Sequence, residues 1–467
     1  MGVISLLNNI QVEEEIMNNK DIIKSKVNDL VPYLVEAIKE IVSYRSVLDE
    51  TASSYPFGKE IDECLKSTLN ICNSLGFRTY YDKDGYYGYA EVGEGPELIG
   101  ILGHLDVVPE GDLSAWSHPP YRLTIEDNKL YGRGTQDDKG PTLSCIYAIK
   151  ALLNSGVKLN KRIRVIFGTD EENLWRGITR YKSNGEEIPS MGITPDSKFF
   201  CINSEKGLLQ AKLTCKNTSD MLLTAGNAFN SVPDKATYAC SHEELPSMKE
   251  ILDNLTFKYD IKDNNIYVLG KGVHSASSAD GINAISRLAI ALNKLGYTSN
   301  SIRFIAEVIG ENVALSNLLP DCEDISGKLT VNVGKIDITK DTETICLDIR
   351  IPVTADKDQI VDVIKAKGEE YGLSYEEYDW LAPSYVPEDH FLIKTLKEVY
   401  EAETGLEAIP EASGGATYAR AIDNCVAFGM VFPDSAKTEH QPDEYITMDD
   451  LVKATEIYAL TLYKLVK

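Results

Sequence analysis

The sequence predicts an α/β protein in which one discontinuous domain is interrupted by an inserted α+β domain. Three observations carry this. Strands and helices alternate in the first part of the chain, the character changes near Gly207, and the first pattern resumes after about Pro387. A chain of 467 residues is also too long for one ordinary core. The expected division is 1–206 and 385–467 for the interrupted domain and 207–384 for the insert.

The elements follow from periodicity. Apolar residues recur at helical spacing from Asp21 to Tyr44 (Ile23, Val27, Leu30, Leu34, Ile38, Ile41), with Pro32 as a candidate break. Lys59–Leu75 reads as a second helix ending at Gly76. Strands are expected at Arg78–Tyr81, Tyr87–Val92 and Leu98–Leu102, and a buried helix at Pro141–Ser155. The strand Arg162–Phe167 runs into Asp170-Glu171-Glu172. In the insert, Leu208–Cys215, Ile266–Leu269, Leu329–Val333 and Thr344–Arg350 read as strands. Gly281–Gly296 and Gln359–Gly372 read as amphipathic helices. The last part carries a helix at Leu392–Thr404, a strand at Val426–Val431 and a helix at Met448–Lys464.

Composition excludes several function classes. Hydrophobic content of 43% and charged content of 25% are those of a globular protein. A formal charge of −25 argues against nucleic acid or an anionic membrane as partner. The nine cysteines carry no CxxC pairing, a cytoplasmic pattern in which thiols are buried as small hydrophobes. The N-terminal run MGVISLLNNIQVEEE lacks a basic region and a cleavage site, so no signal peptide is read. No apolar run approaches the roughly 18–20 residues of a membrane span.

Five motifs carry chemistry. In ELIGILGHLDVVPEG, an apolar strand ends by presenting His104 and Asp106, two residues apart, as an imidazole with a carboxylate behind it to hold the ring. GRGTQDDKG sets Asp137 in a Gly-rich turn. FGTDEEN places Glu171 and Glu172 side by side, so that one can bind metal while the other stays free as a base. GITPDS adds Asp196, and TEHQPDE adds His440. A two-metal centre needs a bridging carboxylate and N/O donors around each ion. A donor set without cysteine suits zinc, cobalt or manganese. Together the motifs argue for a two-metal hydrolase. Of the six histidines, His104, His274 and His440 lie in Gly- or Pro-flanked loops beside acids, whereas His118, His242 and His390 read as surface or packing residues.

In order, GHLDVVP, GRGTQDDKG, TDEE, TPD and EHQPDE resemble the motifs of the di-zinc aminoacylase/glutamate-carboxypeptidase metallopeptidases, and most closely the PepV-like branch of bacterial dipeptidases. The resemblance runs from about Val27 to the C-terminus. It implies a di-zinc exopeptidase catalytic domain with an inserted lid, and a small peptide as substrate. It implies Asp137 as the carboxylate bridging two zinc ions, followed by a cis peptide to Asp138. His104 and Asp196 would complete one ion, and Glu172 and His440 the other. Glu171 would be the general base and Asp106 the carboxylate that orients His104. GKGVHSASSADGINAI is similar to the lid motif whose histidine, here His274, reaches the scissile carbonyl. Ser278 stands where the family usually has Pro, a change expected to loosen that loop.

Asn230, Arg350, Gly414, Gly415 and Thr417, with Arg420 nearby, match positions that hold the substrate. Arg350 ends the strand ICLDIRIP with no acid after it, which reads as a clamp for a free C-terminal carboxylate. Trp175, where the family often has a small residue, reads as core packing that could line the pocket. The length of the insert favours a dipeptidase that is active as a monomer. A deacylase or desuccinylase of the same fold is the nearest alternative. A metal-stabilised peptide-binding protein without turnover is another, against which Glu171 and His274 both speak.

Overall fold

The computed structural model describes residues 2–51 and 54–467, with side chains described from residue 19 onward. The N-terminal run weighed as a signal peptide therefore lies outside the residues whose side chains are described. The chain divides into two compact units. One comprises Met1–Asn203, Val386–Glu411 and Thr417–Lys467; the other comprises Ser204–Tyr385 and Ala412–Ala416.

The first unit is built on a sheet whose strands are β1 (Arg78–Tyr81), β2 (Gly88–Val92), β3 (Leu98–His104), β4 (Arg162–Gly168), β5 (Met191–Thr194) and β6 (Cys425–Ala427). Their order is β1-β2-β4-β3-β5-β6. β4, β3, β5 and β6 run parallel, while β1 and β2 are antiparallel additions at one side. Every residue of β3 is buried, as expected when both faces of a parallel sheet are covered. The faces alternate along it. Ile99 and Ile101 join a large core with the helix Lys139–Asn154, whereas Leu102 joins a smaller cluster with Tyr87, Ile166 and Tyr418. The helices Gly2–Val42, Lys139–Asn154 and Met448–Leu465 pack together on the large-core face. Pro32 sits inside the first of these helices without ending it.

The second unit holds an antiparallel sheet in the order Leu223–Ala225, Thr330–Ile338, Thr342–Ile351, Gly207–Lys216, Ser374–Leu381. Gly207–Lys216 alternates buried and half-buried residues, the pattern of a sheet with one face on a core. Two expectations shift here and in the first unit. The helix expected from Gly281 starts at Ala284, because the Asn283 side chain accepts the Ser286 amide at 3.1 Å and caps it. The strand expected over Val426–Val431 is two pieces, Cys425–Ala427 and Met430–Val431, which pair with different neighbours. Among the described residues, no helix is long and apolar enough to cross a membrane.

Candidate metal centre

The parallel order of β4, β3 and β5 brings their C-terminal ends to one edge, where a doubly covered sheet places its chemistry. His104 is the last residue of β3 and lies opposite Gly168 of β4. Glu171 and Glu172 follow β4, and Asp196 follows β5. Asp137 comes from the turn before the helix Lys139–Asn154. That turn needs Gly134 at φ 90°, and the Asp137–Asp138 peptide is cis. His440 enters from the C-terminal part of the chain at φ 61°.

His104 is fully buried. Its Nδ1 lies 2.9 Å from the main-chain oxygen of Asp106. A carbonyl can only accept, so Nδ1 carries the hydrogen and Nε2 of the neutral ring is a lone pair. Nε2 faces Asp137 Oδ1 at 3.0 Å and Asp196 Oδ2 at 3.6 Å. The other oxygen of Asp137, Oδ2, lies 3.0 Å from His440 Nε2, which also meets Glu172 Oε1 at 3.1 Å. Donor atoms of His104, Glu171 and Asp196 lie within 4.8 Å of one another, as do those of His104, Asp137 and Glu172.

The donors fit a metal. His104 Nε2 and Asp137 Oδ1 are both buried without a hydrogen-bond partner. Two lone pairs aimed at each other require a proton or a cation between them. Two donors of one tetrahedral zinc ion lie about 3.3 Å apart, close to the spacings here. The electrostatics agree. Burial lowers the His104 pKa, but the carboxylates of Asp137 and Asp196 facing the ring outweigh it and carry it well above the ordinary histidine value. Hydrogen bonds to Asp137 and Glu172 push His440 up to about 10. Burial raises Asp196, and it raises Glu171 well above the usual carboxylate range. Without metal the centre binds extra protons, which incoming cations displace.

Asp106 requires a correction. It was expected to orient His104 through its carboxylate, which stands 3.7 Å from Nδ1. The main-chain carbonyl does this instead. The carboxylate turns to the next segment and accepts the amides of Glu171 and Glu172, both at 3.1 Å. Burial pushes its pKa up to about 6. Asp106 thus holds the acidic pair from the backbone side. Trp175 is half-buried and meets Tyr418 edge to face, with centroids 5.7 Å apart.

A second cluster lies wholly in the second unit, around Ser275. Its amide donates to the Asn230 carbonyl at 2.9 Å. His274 is exposed and caps the short turn Ser275–Asp280, its Nδ1 accepting the Ala276 amide at 3.2 Å. Ser278 is buried within that turn, which is kinked at the preceding residue, Ser277 (φ −118°, ψ 31°).

Arg350, expected as a carboxylate clamp, is buried, and most of its N–H groups are used within its own unit. Nε donates to Asp348 Oδ1 at 2.6 Å, and Nη2 donates to Asp348 Oδ2 at 3.0 Å and to Ser275 Oγ at 2.7 Å. Nη1 donates to the Gly414 carbonyl at 2.8 Å. Asp348 precedes Arg350 by two residues on the same strand face, a signal available in the sequence. Gly414 is required here, since a Cβ would lie 2.6 Å from the Ala276 oxygen. Gly415 donates its amide to Ser413 Oγ at 3.0 Å. Thr417 belongs to the first unit, where it precedes the turn Tyr418–Ala421. Arg350→Ala strands the buried Asp348 carboxylate. The expected cost is about 3–5 kcal/mol, read as a lowered urea midpoint of the unfolding step that reports the second unit.

The remaining histidines hold local structure. His118 stacks on Tyr131 and meets Glu126 at 2.9 Å, His242 pairs with Asn264, and His390 caps the helix Phe391–Thr404. Two residues near the metal donors were not singled out by the sequence. Asp138 is buried and accepts the His104 amide at 3.0 Å. Glu444 is buried on Arg133 at 2.7 Å. The basic residue in GRGTQDD was the available pointer to Glu444.

The chain is 36% identical over 457 residues to the "putative dipeptidase YtjP" of Bacillus subtilis, covering 93% of this chain and 97% of that protein. It is 32% identical over 473 residues to a "putative dipeptidase" of Staphylococcus saprophyticus, covering 95% and 99%. Among solved structures, the aminoacylhistidine dipeptidase of Vibrio alginolyticus shares the fold at TM-score 0.60 and 15% identity, over 93% of this chain and 96% of that one. The dipeptidase Dug1p of Saccharomyces cerevisiae does so at 0.57 and 14%, over 95% and 98%. The description "Peptidase family M20/M25/M40" matches residues 100–464. The chain belongs to that peptidase family and is a peptide-bond hydrolase.

Proposed function

We propose that this protein is a dinuclear zinc dipeptidase that hydrolyses short peptides with a free C-terminus. The observation that carries the reading is the division of Asp137: one carboxylate oxygen faces His104 and the other faces His440, each at 3.0 Å. A carboxylate so divided suits a bridge between two ions. His104 and Asp196 would hold one ion, and Glu172 and His440 the other; cobalt or manganese could replace zinc. The ions would supply Lewis-acid activation of a water and of the scissile carbonyl.

The side chains supply the rest. Glu171, partly buried and with its pKa raised, takes the proton of the attacking water and passes it to the leaving amine. Asp106 keeps the amides of Glu171 and Glu172 in place, so the two neighbours stay in different roles. His274 is assigned the hydrogen bond to the carbonyl oxygen as charge develops there. The cluster of Asn230, Arg350, Gly414 and Gly415, with Thr417, is assigned to the substrate's terminal carboxylate. Within that cluster Asp348 and Ser275 hold the Arg350 guanidinium in place. The names of the relatives favour dipeptides over N-acyl amino acids. A single chain is expected to suffice, and the free thiols favour the cytoplasm.

The test is hydrolysis of a panel of dipeptides, their C-terminal amides, tetrapeptides and N-acyl amino acids, before and after chelation. Free dipeptides should be cleaved best. Chelator should abolish turnover, and zinc should restore it. Preferred cleavage of N-acyl amino acids would establish a deacylase instead. Binding of dipeptides without amine release would establish a binding protein.

A further inference from the structure

Gln136 stands beside Asp137, and its side chain is spent entirely on the segment that carries His440. Its Oε1 accepts the amides of Thr438 at 2.6 Å and Glu439 at 3.0 Å. Its Nε2 donates to the carbonyls of Ala436 at 3.0 Å and Tyr445 at 3.2 Å. Both lone pairs and both hydrogens of the carboxamide are thereby used.

The return contact comes from Glu444, at the far end of the same segment. Its Oε1 accepts the amides of Gly134 at 3.0 Å, Gln136 at 2.9 Å and Asp137 at 3.2 Å. Each segment fastens the other. Between the two ends of the fastened segment sits His440, half exposed and at φ 61°, a conformation a non-glycine residue keeps only when its surroundings impose it.

We propose that Gln136 is a positioning residue for His440. It fixes where His440 meets Asp137 and Glu172 before an ion arrives, and so sets the affinity for the ion on that side. A ligand on a loose segment must be ordered at the moment of binding, and that entropy is subtracted from affinity. Partners of metal ligands are typically worth 10–100-fold in affinity. The effect is one-sided. The bonds of the Gln136 side chain all go to residues 436–445, while the Asp137 amide is held by Glu444. His104 and Asp196 are carried by strand ends that Gln136 does not touch. The inference rests on the dinuclear reading above.

The test uses the full chain, stripped with chelator and titrated with zinc by calorimetry. Wild type should show two affinities. Gln136→Met keeps the side-chain length and removes the four bonds. It should weaken one affinity by about 10–100-fold and leave the other within about twofold. Gln136→Glu keeps the two accepted amides and should fall between. Equal weakening of both ions, or of neither, overturns the proposal.

A second measurement needs no variant. In metal-free wild type, the Thr438 and Glu439 amides should exchange with deuterium far more slowly than an open loop. Exchange at open-loop rates also overturns it. Wild type that takes up fewer than two ions would overturn the dinuclear reading itself. Wild type with two ions and an unchanged Gln136→Met variant would overturn only the role of Gln136.

Discussion

Glu171→Gln lowers turnover by about 10³–10⁴-fold while both metal equivalents remain. The magnitude is the upper part of what a positioned general base contributes. The substitution keeps the shape of the side chain and removes its ability to take a proton. The metals should stay because the donors assigned to them are His104, Asp137, Glu172, Asp196 and His440. The structure makes this a sharp test, since Glu171 also lies within 4.8 Å of the His104 and Asp196 donors. The measurement pairs plasma mass spectrometry of metal content with single-turnover kinetics on a dipeptide. Loss of one equivalent of metal would show that Glu171 is a ligand and that the roles of the two neighbours are exchanged. Asp106 contacts both amides equally, so it does not bias that outcome.

Asp137→Ala removes both ions and takes activity to the background of the assay. A terminal ligand serves one ion, but Asp137 turns one oxygen to each histidine, so both sides lose a donor together. The variant should remain folded. Asp137 is a partly exposed turn residue, and the Glu444 contacts reach its backbone, which alanine preserves. Metal content falls towards zero after dialysis against weak chelator, while circular dichroism stays at wild type. Retention of one full equivalent would place Asp137 on a single ion and end the bridging assignment.

The sequence made much of this centre legible because His104, Glu172 and Asp196 each sit in a short motif at or just after a strand end, where local pattern and spatial position coincide. The side chains of His104, Asp137, Asp196, Glu172 and His440 approach one another at 3.0–3.6 Å. Where the reading went astray, the local rule had stopped applying. Asp106 was placed on the face of His104 by the two-residue period of a strand, yet the strand ends at His104, and the carboxylate, 3.7 Å from the ring, accepts the Glu171 and Glu172 amides. Arg350 was judged by the residues after it, whereas the acid that takes its guanidinium lies two residues before. Gln136 gave no local signal, and Glu444 gave only the need of Arg133 for an acid. Their amide-to-carboxylate contact spans 308 positions, and only tertiary structure brings the two segments together. Helix and strand limits drifted where a capping side chain set them, as at Asn283.

The placement of His440 also orders events in time. Glu172 and His440 are separated by 268 positions. At a synthesis rate of about 5–20 residues per second, that interval is roughly 10–50 s. By the end of it Asp137, Glu171, Glu172 and Asp196 have all been made, but the histidine that faces Asp137 Oδ2 has not. Strand β6, which lies beside β5 in the same sheet, is missing as well. On the dinuclear reading proposed above, the two sides of the centre are completed at different times: the residues of the His104 side are made first, and the His440 side waits for the segment 436–445.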